Sequence, residues 1–198
     1  MQDKLDLYFD FASPYAYFAF GRLCRLADRH RLTLCLHPIM LWATLRALGL
    51  PAAMEHPARR EYMLHDMQRS ARHYGLPFEL PPAFPFSSHA AARAWHAVHA
   101  HAPQLSTLYA ARLLEAGFVQ HRDIRNKPEL VEITAELGLG ESWARPAMDS
   151  DSARAALERT IAEAAQRGVS GSPYWFWRGE AWFGADRLPQ FEQALLES

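Results

Sequence analysis

The positions of the strand-forming segments limit the possible folds of this chain more than any other feature. Apolar and polar residues alternate over residues 5–11, which predicts a β-strand, and residues 32–39 form a second such segment after an intervening helical pattern. Strand patterns return only near the end, as short aromatic segments at 174–178 and 181–183 joined by a glycine-containing turn. A sheet in this protein is therefore assembled from the two ends of the chain.

The long middle of the chain has helical rather than strand periodicity. Helices bounded by proline, glycine or short polar groups are predicted at residues 57–75, 89–101, 104–118, 127–137 and 151–167. Near the end, Asp186 is expected to cap a final helix. We therefore predict an α/β fold with the order βαβ…ββα. In it, a thioredoxin-like domain of residues 1–42 and 168–198 is interrupted by a large all-helical insertion of residues 43–167.

Charge and composition exclude several classes of partner. The formal net charge of the 198-residue chain is −1, without a long run of one sign, so no nucleic-acid partner is expected. No apolar segment has the length of a membrane helix, and the N-terminus lacks the features of a secretory signal. The two cysteines, Cys24 and Cys35, do not form a C-x-x-C motif. We therefore expect a cytoplasmic protein that binds neither nucleic acid nor membrane.

The stretch FDFASPYAYF marks the end of the first strand and the start of the first helix. Ser13 is a good N-cap residue, and Pro14 suits the first helical position because its missing N–H is not needed there. A helix N-terminus carries unpaired N–H groups and a partial positive charge, which stabilise anions such as a thiolate. A serine hydroxyl at this place can also donate a hydrogen bond to a bound sulfur. From this stretch alone, a simple N-cap is the more economical interpretation.

Two later segments are also candidates for ligand contacts. GVSGSP contains Ser172-Pro173, and a cis bond there would leave the backbone of the preceding residue open to pairing with an extended peptide. A trans proline at the start of an edge strand is the alternative. In FGADRL, Asp186 is most simply a helix cap, while its carboxylate is also suited to receive the ammonium group of a peptide-like ligand.

These three segments, in this order, resemble the glutathione-dependent 2-hydroxychromene-2-carboxylate isomerases and the related kappa-class glutathione transferases. REYMLHDMQRSARHYGLPF and residues 162–168 extend the resemblance over most of the chain. It implies a thioredoxin domain interrupted by helices, glutathione as the cofactor, and a homodimer. Other members of this fold carry C-x-x-C where this chain has Ser13-Pro14-Tyr15-Ala16, so dithiol exchange cannot occur here. The reactive sulfur must therefore come from a ligand.

The resemblance also implies roles for individual residues in glutathione binding. Ser13 would hold the sulfur as a thiolate, and Ser172, before the cis-Pro173, would pair with the cysteinyl backbone. Ala185 and Asp186 would hold the γ-glutamyl end.

Two further positions concern the remaining contacts with glutathione. Arg59 is the best match for the residue that approaches the glycyl carboxylate, and Arg60 is the alternative. Family members often carry an asparagine where Leu50 stands here, so the resemblance does not supply that contact.

Aromatic and histidine residues give weaker signals. An apolar pocket for an aromatic substrate is predicted around Trp42 and Tyr15, although ordinary core packing is the alternative for each aromatic residue considered, which also include Phe84, Phe86, Trp175 and Trp177. Four histidines crowd one region without acidic or thiol partners at matching spacing, so no metal site is expected; they are His89, His96, His99 and His101.

The resemblance predicts a cis-trans isomerase that acts on an aromatic unsaturated keto acid through reversible addition of the glutathione thiolate. The alternatives are a transferase or peroxidase that consumes glutathione at the same site, and a non-catalytic thioredoxin-like binding module. Binding of reduced glutathione distinguishes the module from the enzymes, and net consumption of glutathione distinguishes the enzymes from each other.

Overall fold

The computed structural model describes residues 3–197, and its elements follow the order predicted from the sequence. They are β1 (Lys4–Phe9), α1 (Pro14–Arg29), β2 (Thr33–Pro38), α2 (Leu41–Ala47), α3 (Pro57–Tyr74), α4 (His89–His101), α5 (Ser106–Phe118), α6 (Lys127–Glu136), α7 (Glu141–Asp149), α8 (Asp151–Gln166), β3 (Tyr174–Trp177), β4 (Glu180–Phe183) and α9 (Leu188–Leu196). Short 3-10 turns precede α5 and α9. This βαβ…ββα order around an all-helical segment confirms the predicted thioredoxin-like α/β fold.

The sheet joins the two ends of the chain through its central strands. Its strand order is β2-β1-β3-β4, with β1 parallel to β2 and antiparallel to β3. Leu7 of β1 lies opposite Leu36 on one side and Trp175 on the other. The parallel pair requires a crossover, which α1 supplies. The sheet thus brings the end of β1 and the start of β3 together, and the candidate site lies at this junction.

The two faces of β1 pack against different helices, as the alternation of its residues predicts. Leu5, Leu7 and Phe9 belong to the main core, which includes α1 and α9, whereas Tyr8 packs with Val169 and a residue of α8. Trp175 and Trp177 are buried in the main core, with ring centroids 5.6 and 5.8 Å from that of Phe191. Core packing, the alternative kept open from the sequence, therefore describes these two tryptophans.

The structure differs from the sequence prediction at three elements. Helices α2 and α7 were not predicted, because α2 has only seven residues and α7 contains Pro146. The prediction that Asp186 caps the final helix is wrong. A 3-10 turn over Ala185–Arg187 separates β4 from α9, so Asp186 lies inside a turn, and its carboxylate pairs with Arg187 at 2.6 Å. The predicted domain division stays a prediction, and its first boundary, between residues 42 and 43, falls inside α2.

Within residues 3–197, no helix combines the length and the apolar character that crossing a bilayer requires.

Candidate active site

Ser13 is the N-cap of α1, as predicted, and its side chain is almost buried. Its Oγ accepts a hydrogen bond from the backbone N–H of Ala16 at 3.2 Å and donates one to the carbonyl of Ser172 at 2.9 Å. Its backbone N–H donates to the carbonyl of Asp10 at 2.9 Å. The first turn of α1 contains no acidic residue, so no side chain there neutralises the positive end of the helix.

The segment before β3 is held against this turn by backbone and side-chain bonds. The peptide bond between Ser172 and Pro173 is cis, as the resemblance implied. The backbone N–H of Asp10 donates to Ser172 Oγ at 2.8 Å, which holds the segment before β3 against the end of β1 beyond their last ladder pair, Tyr8 with Tyr174. The carbonyl of Pro173 accepts from the backbone N–H of Gly184 at 3.0 Å. Three separate loops are thus fixed at one place.

Asp10 is a buried carboxylate that joins three segments beside Ser13. Its side-chain oxygens accept hydrogen bonds from Ser88 Oγ and from the backbone N–H groups of Ala12 at 2.8 Å and Leu41 at 2.7 Å. Burial raises the pKa of the Asp10 carboxyl above its ordinary value, and these three donors offset part of that effect. The strand pattern alone does not orient Asp10, because a polar residue near the end of an alternating strand can face solvent or a neighbouring donor.

A cleft of about 1010 Å³ opens over these loops, between the sheet end and the first part of the helical segment. Its floor contains Ser13, Ser172 and Ala185. The walls are mostly apolar, with side chains from α2, α3, β4 and the loops before α3 and α4; they include Trp42, Met54, Tyr62, Met63, Met67, Phe84, Phe86 and Phe183. A second cis peptide, Phe84–Pro85, lies in the loop before α4 and was not predicted.

Two glycines shape the rim of this cleft on the side of β4. A Cβ at position 171 would lie 1.9 Å from the ring of Phe183, which is about half exposed at the cleft mouth. Gly184 has a φ of +95°, and a Cβ there would lie 2.4 Å from Asp186 Oδ1. Glycine at these positions therefore lets Phe183 and Asp186 approach the backbone closely.

Most of the residues predicted for the site lie together in this cleft. Its lining includes the predicted residues Ser13, Tyr15, Trp42, Ser172, Ala185 and Asp186. Of the two arginines, the structure places Arg60 in the lining and Arg59 outside it. Arg60 is exposed, and its Nε donates to the carbonyl of Met54 at 3.2 Å. Pro173 stands behind Ser172, and Leu50 is exposed outside the lining.

Tyr15 presents its ring to the cleft, while its hydroxyl is bound to the protein. The hydroxyl donates to Asp66 Oδ2 of α3 at 2.7 Å, and Asp66 also accepts from Arg69 at 2.5 Å. Burial, with the hydrogen bond to Asp66, raises the pKa of Tyr15 well above its ordinary value. The Tyr15 hydroxyl therefore anchors α3 to α1 and is unsuited to transfer a proton near neutral pH.

Two histidines of α4 contact different parts of the protein, His99 within the helical segment and His96 at the end of β2. His99 Nδ1 lies 2.8 Å from Ser106 Oγ, and the His99 ring stacks on Trp95. His96 hydrogen-bonds to the backbone of Pro38. In the described part of the chain, no group of three or more His, Cys, Asp or Glu residues is arranged to hold a metal ion.

Several features of the site gave no signal in the sequence. The methionine side of the cleft, at Met54, Met63 and Met67, comes from α3 and the loop before it, and only the fold shows that they face Ser13. Ser88 also gave no signal, although it is buried and bonds to Asp10.

Comparison with known proteins supplies independent information on the family. The model of the DSBA-like thioredoxin domain matches residues 4–196. The 2-hydroxychromene-2-carboxylate isomerase of Pseudomonas putida is 28% identical over 193 residues, which cover 96% of this chain and 93% of that protein. The isomerase of the same name from Sphingobium xenophagum is 28% identical over 199 residues, covering 100% of both chains. Glutathione S-transferase kappa 2 of Caenorhabditis elegans is 26% identical, covering 96% of this chain and 90% of that protein.

Solved structures agree with these relatives. A 2-hydroxychromene-2-carboxylate isomerase structure matches with a TM-score of 0.84 and 26% identity, covering 98% of this chain and 94% of that one. Cytosolic disulfide reductase DsbM from Pseudomonas aeruginosa, solved with GSH, matches with a TM-score of 0.71 and 25% identity, covering 98% and 97%. The resemblance inferred from the sequence is therefore confirmed.

Proposed function

This chain belongs to the DSBA-like thioredoxin domain family, and we propose that it is a glutathione-dependent cis-trans isomerase. The proposed substrate is an aromatic unsaturated keto acid of the 2-hydroxychromene-2-carboxylate or hydroxybenzylidenepyruvate type. Its relatives are isomerases and glutathione transferases, which supports an enzyme of this general kind. Glutathione as the cofactor is supported by the kappa-class relatives and by the DsbM structure with GSH.

One observation carries the proposal. The Ser13 hydroxyl stands at the positive end of α1 and opens onto a largely apolar cleft. Neither Cys24 nor Cys35 is among the residues that line this cleft, so a thiol acting there belongs to a ligand. The donor set of a hydroxyl and a helix N-terminus suits a thiolate, because both favour the charged form of a thiol.

In this proposal, glutathione lies across the floor of the cleft. The backbone of Ser172 pairs with the cysteinyl residue, and the backbone of Ala185 with the Asp186 carboxylate holds the γ-glutamyl end. We assign the glycyl carboxylate to Arg60 rather than Arg59, because Arg60 lies in the cleft lining. The Asp186 carboxylate already pairs with Arg187, and the ligand's ammonium group would share it.

The chemistry divides between the cofactor and the protein. Glutathione, held by Ser13, Ser172, Ala185, Asp186 and Arg60, would supply a thiolate nucleophile for reversible covalent catalysis at the conjugated double bond of the substrate. The chain's own contribution is to hold that sulfur ionised, through the Ser13 hydroxyl and the N-terminus of α1. Trp42, Phe84 and Phe86 contact the aromatic part of the substrate and limit access of water to it.

The test is a spectrophotometric assay with a hydroxybenzylidenepyruvate, with and without reduced glutathione. Native protein is expected to require glutathione for turnover. Ser13→Ala is expected to lose activity about 100-fold, as when one charge-stabilising donor is removed from an active site. Equal rates in native protein and variant would remove Ser13 from the mechanism.

Ser150→Ala is the matched control for that assay. Ser150 is the N-cap of α8, where its Oγ accepts from Ala153 N at 3.2 Å and donates to a carbonyl at 2.7 Å, as Ser13 does at α1. It lies outside the cleft, so its loss is expected to leave turnover unchanged.

The kappa-class relatives favour a second candidate, in which the same site conjugates glutathione to an electrophile or reduces a peroxide with it. Measuring thiol during turnover separates the two, because an isomerase leaves the glutathione concentration constant. Heat on titration of millimolar glutathione into native protein, measured by calorimetry, argues against a binding module for other ligands. The cytoplasmic location, predicted from the sequence, and the homodimer implied by the resemblance remain proposals; light scattering measures the oligomeric state.

A further inference from the structure

The single proton of the Ser13 hydroxyl is already committed in this structure. A serine hydroxyl has one proton to donate and lone pairs that accept. Because the N–H of Ala16 can only donate, Ser13 Oγ accepts there, at 3.2 Å, and its proton points to the Ser172 carbonyl at 2.9 Å. A ligand sulfur in the cleft therefore finds this proton engaged elsewhere.

The same carbonyl is the natural partner of an extended peptide. Ser172 lines the cleft beyond the last pair of the β1–β3 ladder, Tyr8 with Tyr174, and its side-chain Oγ, not its carbonyl, accepts from the Asp10 N–H. A peptide that adds to this edge in strand fashion directs a backbone N–H at the Ser172 carbonyl. The peptide N–H and the Ser13 hydroxyl then converge on one oxygen, which has two lone pairs, so either both donors share it or the peptide displaces the hydroxyl.

We propose that the Ser172 carbonyl makes Ser13 selective for thiols carried on a peptide backbone. The peptide N–H takes the carbonyl, and the Ser13 hydroxyl turns its proton from that oxygen to the ligand sulfur, while Oγ keeps its bond to Ala16. No covalent bond changes and no proton leaves Ser13. This inference rests on the proposed function, since it concerns the same glutathione site.

The proposed exchange predicts that loss of the Ser13 hydroxyl changes the affinity for a sulfur-free tripeptide in the opposite direction from the affinity for glutathione. γ-Glutamyl-alanyl-glycine presents the same backbone N–H but offers the displaced hydroxyl no acceptor. In native protein, binding of this tripeptide therefore costs the Ser13–Ser172 bond without replacement. In Ser13→Ala the carbonyl is free, so the sulfur-free tripeptide binds more tightly, whereas glutathione binds more weakly because its thiolate loses a donor.

The experiment is calorimetry of glutathione and of γ-glutamyl-alanyl-glycine with native protein, Ser13→Ala and Ser13→Gly. We expect both variants to bind glutathione about tenfold more weakly and the sulfur-free tripeptide about threefold more tightly. Glycine is included because it is tolerated at an N-cap with little loss of helix stability, so at least one variant is expected to fold.

Ser150→Ala controls for the loss of a helix cap, and its affinities for both tripeptides are expected to match those of native protein. If the Ser13 variants bind both ligands more weakly to the same extent, or bind both as native protein does, the proposed exchange of hydrogen bonds at the Ser172 carbonyl is wrong. Glutathione binding by native protein is not affected by that outcome. Absence of any heat from glutathione with native protein overturns the proposed function itself, and the inference with it.

Discussion

At the scale of single residues, the cleft depends on a carboxylate that no catalytic step uses. Asp10 accepts from three donors with its two oxygens, and the donors come from the turn after β1, from the first residue of α2 and from the residue before α4. A carboxylate accepts at both oxygens, whereas an asparagine amide presents an oxygen on one side and an NH₂ group on the other. An asparagine at position 10 would therefore place its NH₂ group, a donor, against one of the three groups that now donate to the carboxylate.

Asp10→Asn is accordingly expected to weaken glutathione binding about three- to tenfold. Its amide oxygen can still serve Ala12 and Ser88, but its NH₂ faces the N–H of Leu41, which loosens the start of α2 beside Trp42. Calorimetric titration of glutathione measures the effect. Ser88→Ala removes one donor and leaves the other two, so its effect should be smaller. Equal affinity in Asp10→Asn and native protein would show that α2 keeps its position without this bond.

The same variant has a signature in stability. Since the folded-state pKa of Asp10 is raised, its contribution to stability is present at low pH and is lost as pH rises through that pKa. The free energy of unfolding of native protein, relative to Asp10→Asn, should therefore decrease as pH rises from acid toward neutral. Urea unfolding at several pH values measures it. An increase instead would mean that the three donors outweigh the cost of burial.

At the scale of elements, the sequence predicted the strands and most of the helices but missed α2 and α7. The strands and α1 were predicted because alternation, the Ser13 cap and Pro14 act locally. Helix α2 was not predicted, because a helix of seven residues shows too little periodicity. Helix α7 was not predicted because it contains Pro146, a residue that normally marks a helix boundary. The sequence also could not decide between Arg59 and Arg60. Neighbouring residues on α3 point in different directions, and only the packing of the helix shows which one faces the cleft.

The contact between α1 and α3 leads to a prediction about Tyr15. Because its hydroxyl donates to Asp66, Tyr15→Phe should destabilise the protein by about 1 kcal/mol and raise KM about threefold. Because that hydroxyl is not placed as an acid, kcat should stay within about twofold; a loss of 100-fold or more would assign it proton transfer. Steady-state kinetics and urea unfolding measure both quantities. Tyr17→Phe is the control, since its hydroxyl donates to the Pro77 carbonyl away from the cleft.

At the scale of the whole molecule, one contact between the helical segment and the sheet involves His96, whose protonation is disfavoured by burial. His96 of α4 hydrogen-bonds to the backbone of Pro38 at the end of β2, and its Nε2 is buried without a hydrogen-bond partner among the described residues. Burial first, and then the nearby His99 and Arg159, lower the pKa of His96 to about 4. Burial thus disfavours protonation of His96 in the folded protein, although the bond to the Pro38 carbonyl acts in the opposite direction.

The sign of the resulting pH dependence follows from linkage. The folded-state pKa of His96 lies below its ordinary value of 6.5, so the unfolded chain takes up the proton first as pH falls. Native protein should lose up to about 3 kcal/mol of unfolding free energy through this group between neutral pH and about pH 4. His96→Asn, which keeps a donor for Pro38 but does not titrate, should show a correspondingly shallower decline. Urea unfolding at pH values across this range gives the comparison, with the exposed His65→Asn on α3 as the control. Parallel declines in native protein and His96→Asn would mean that His96 takes up its proton without disturbing the contact between α4 and β2.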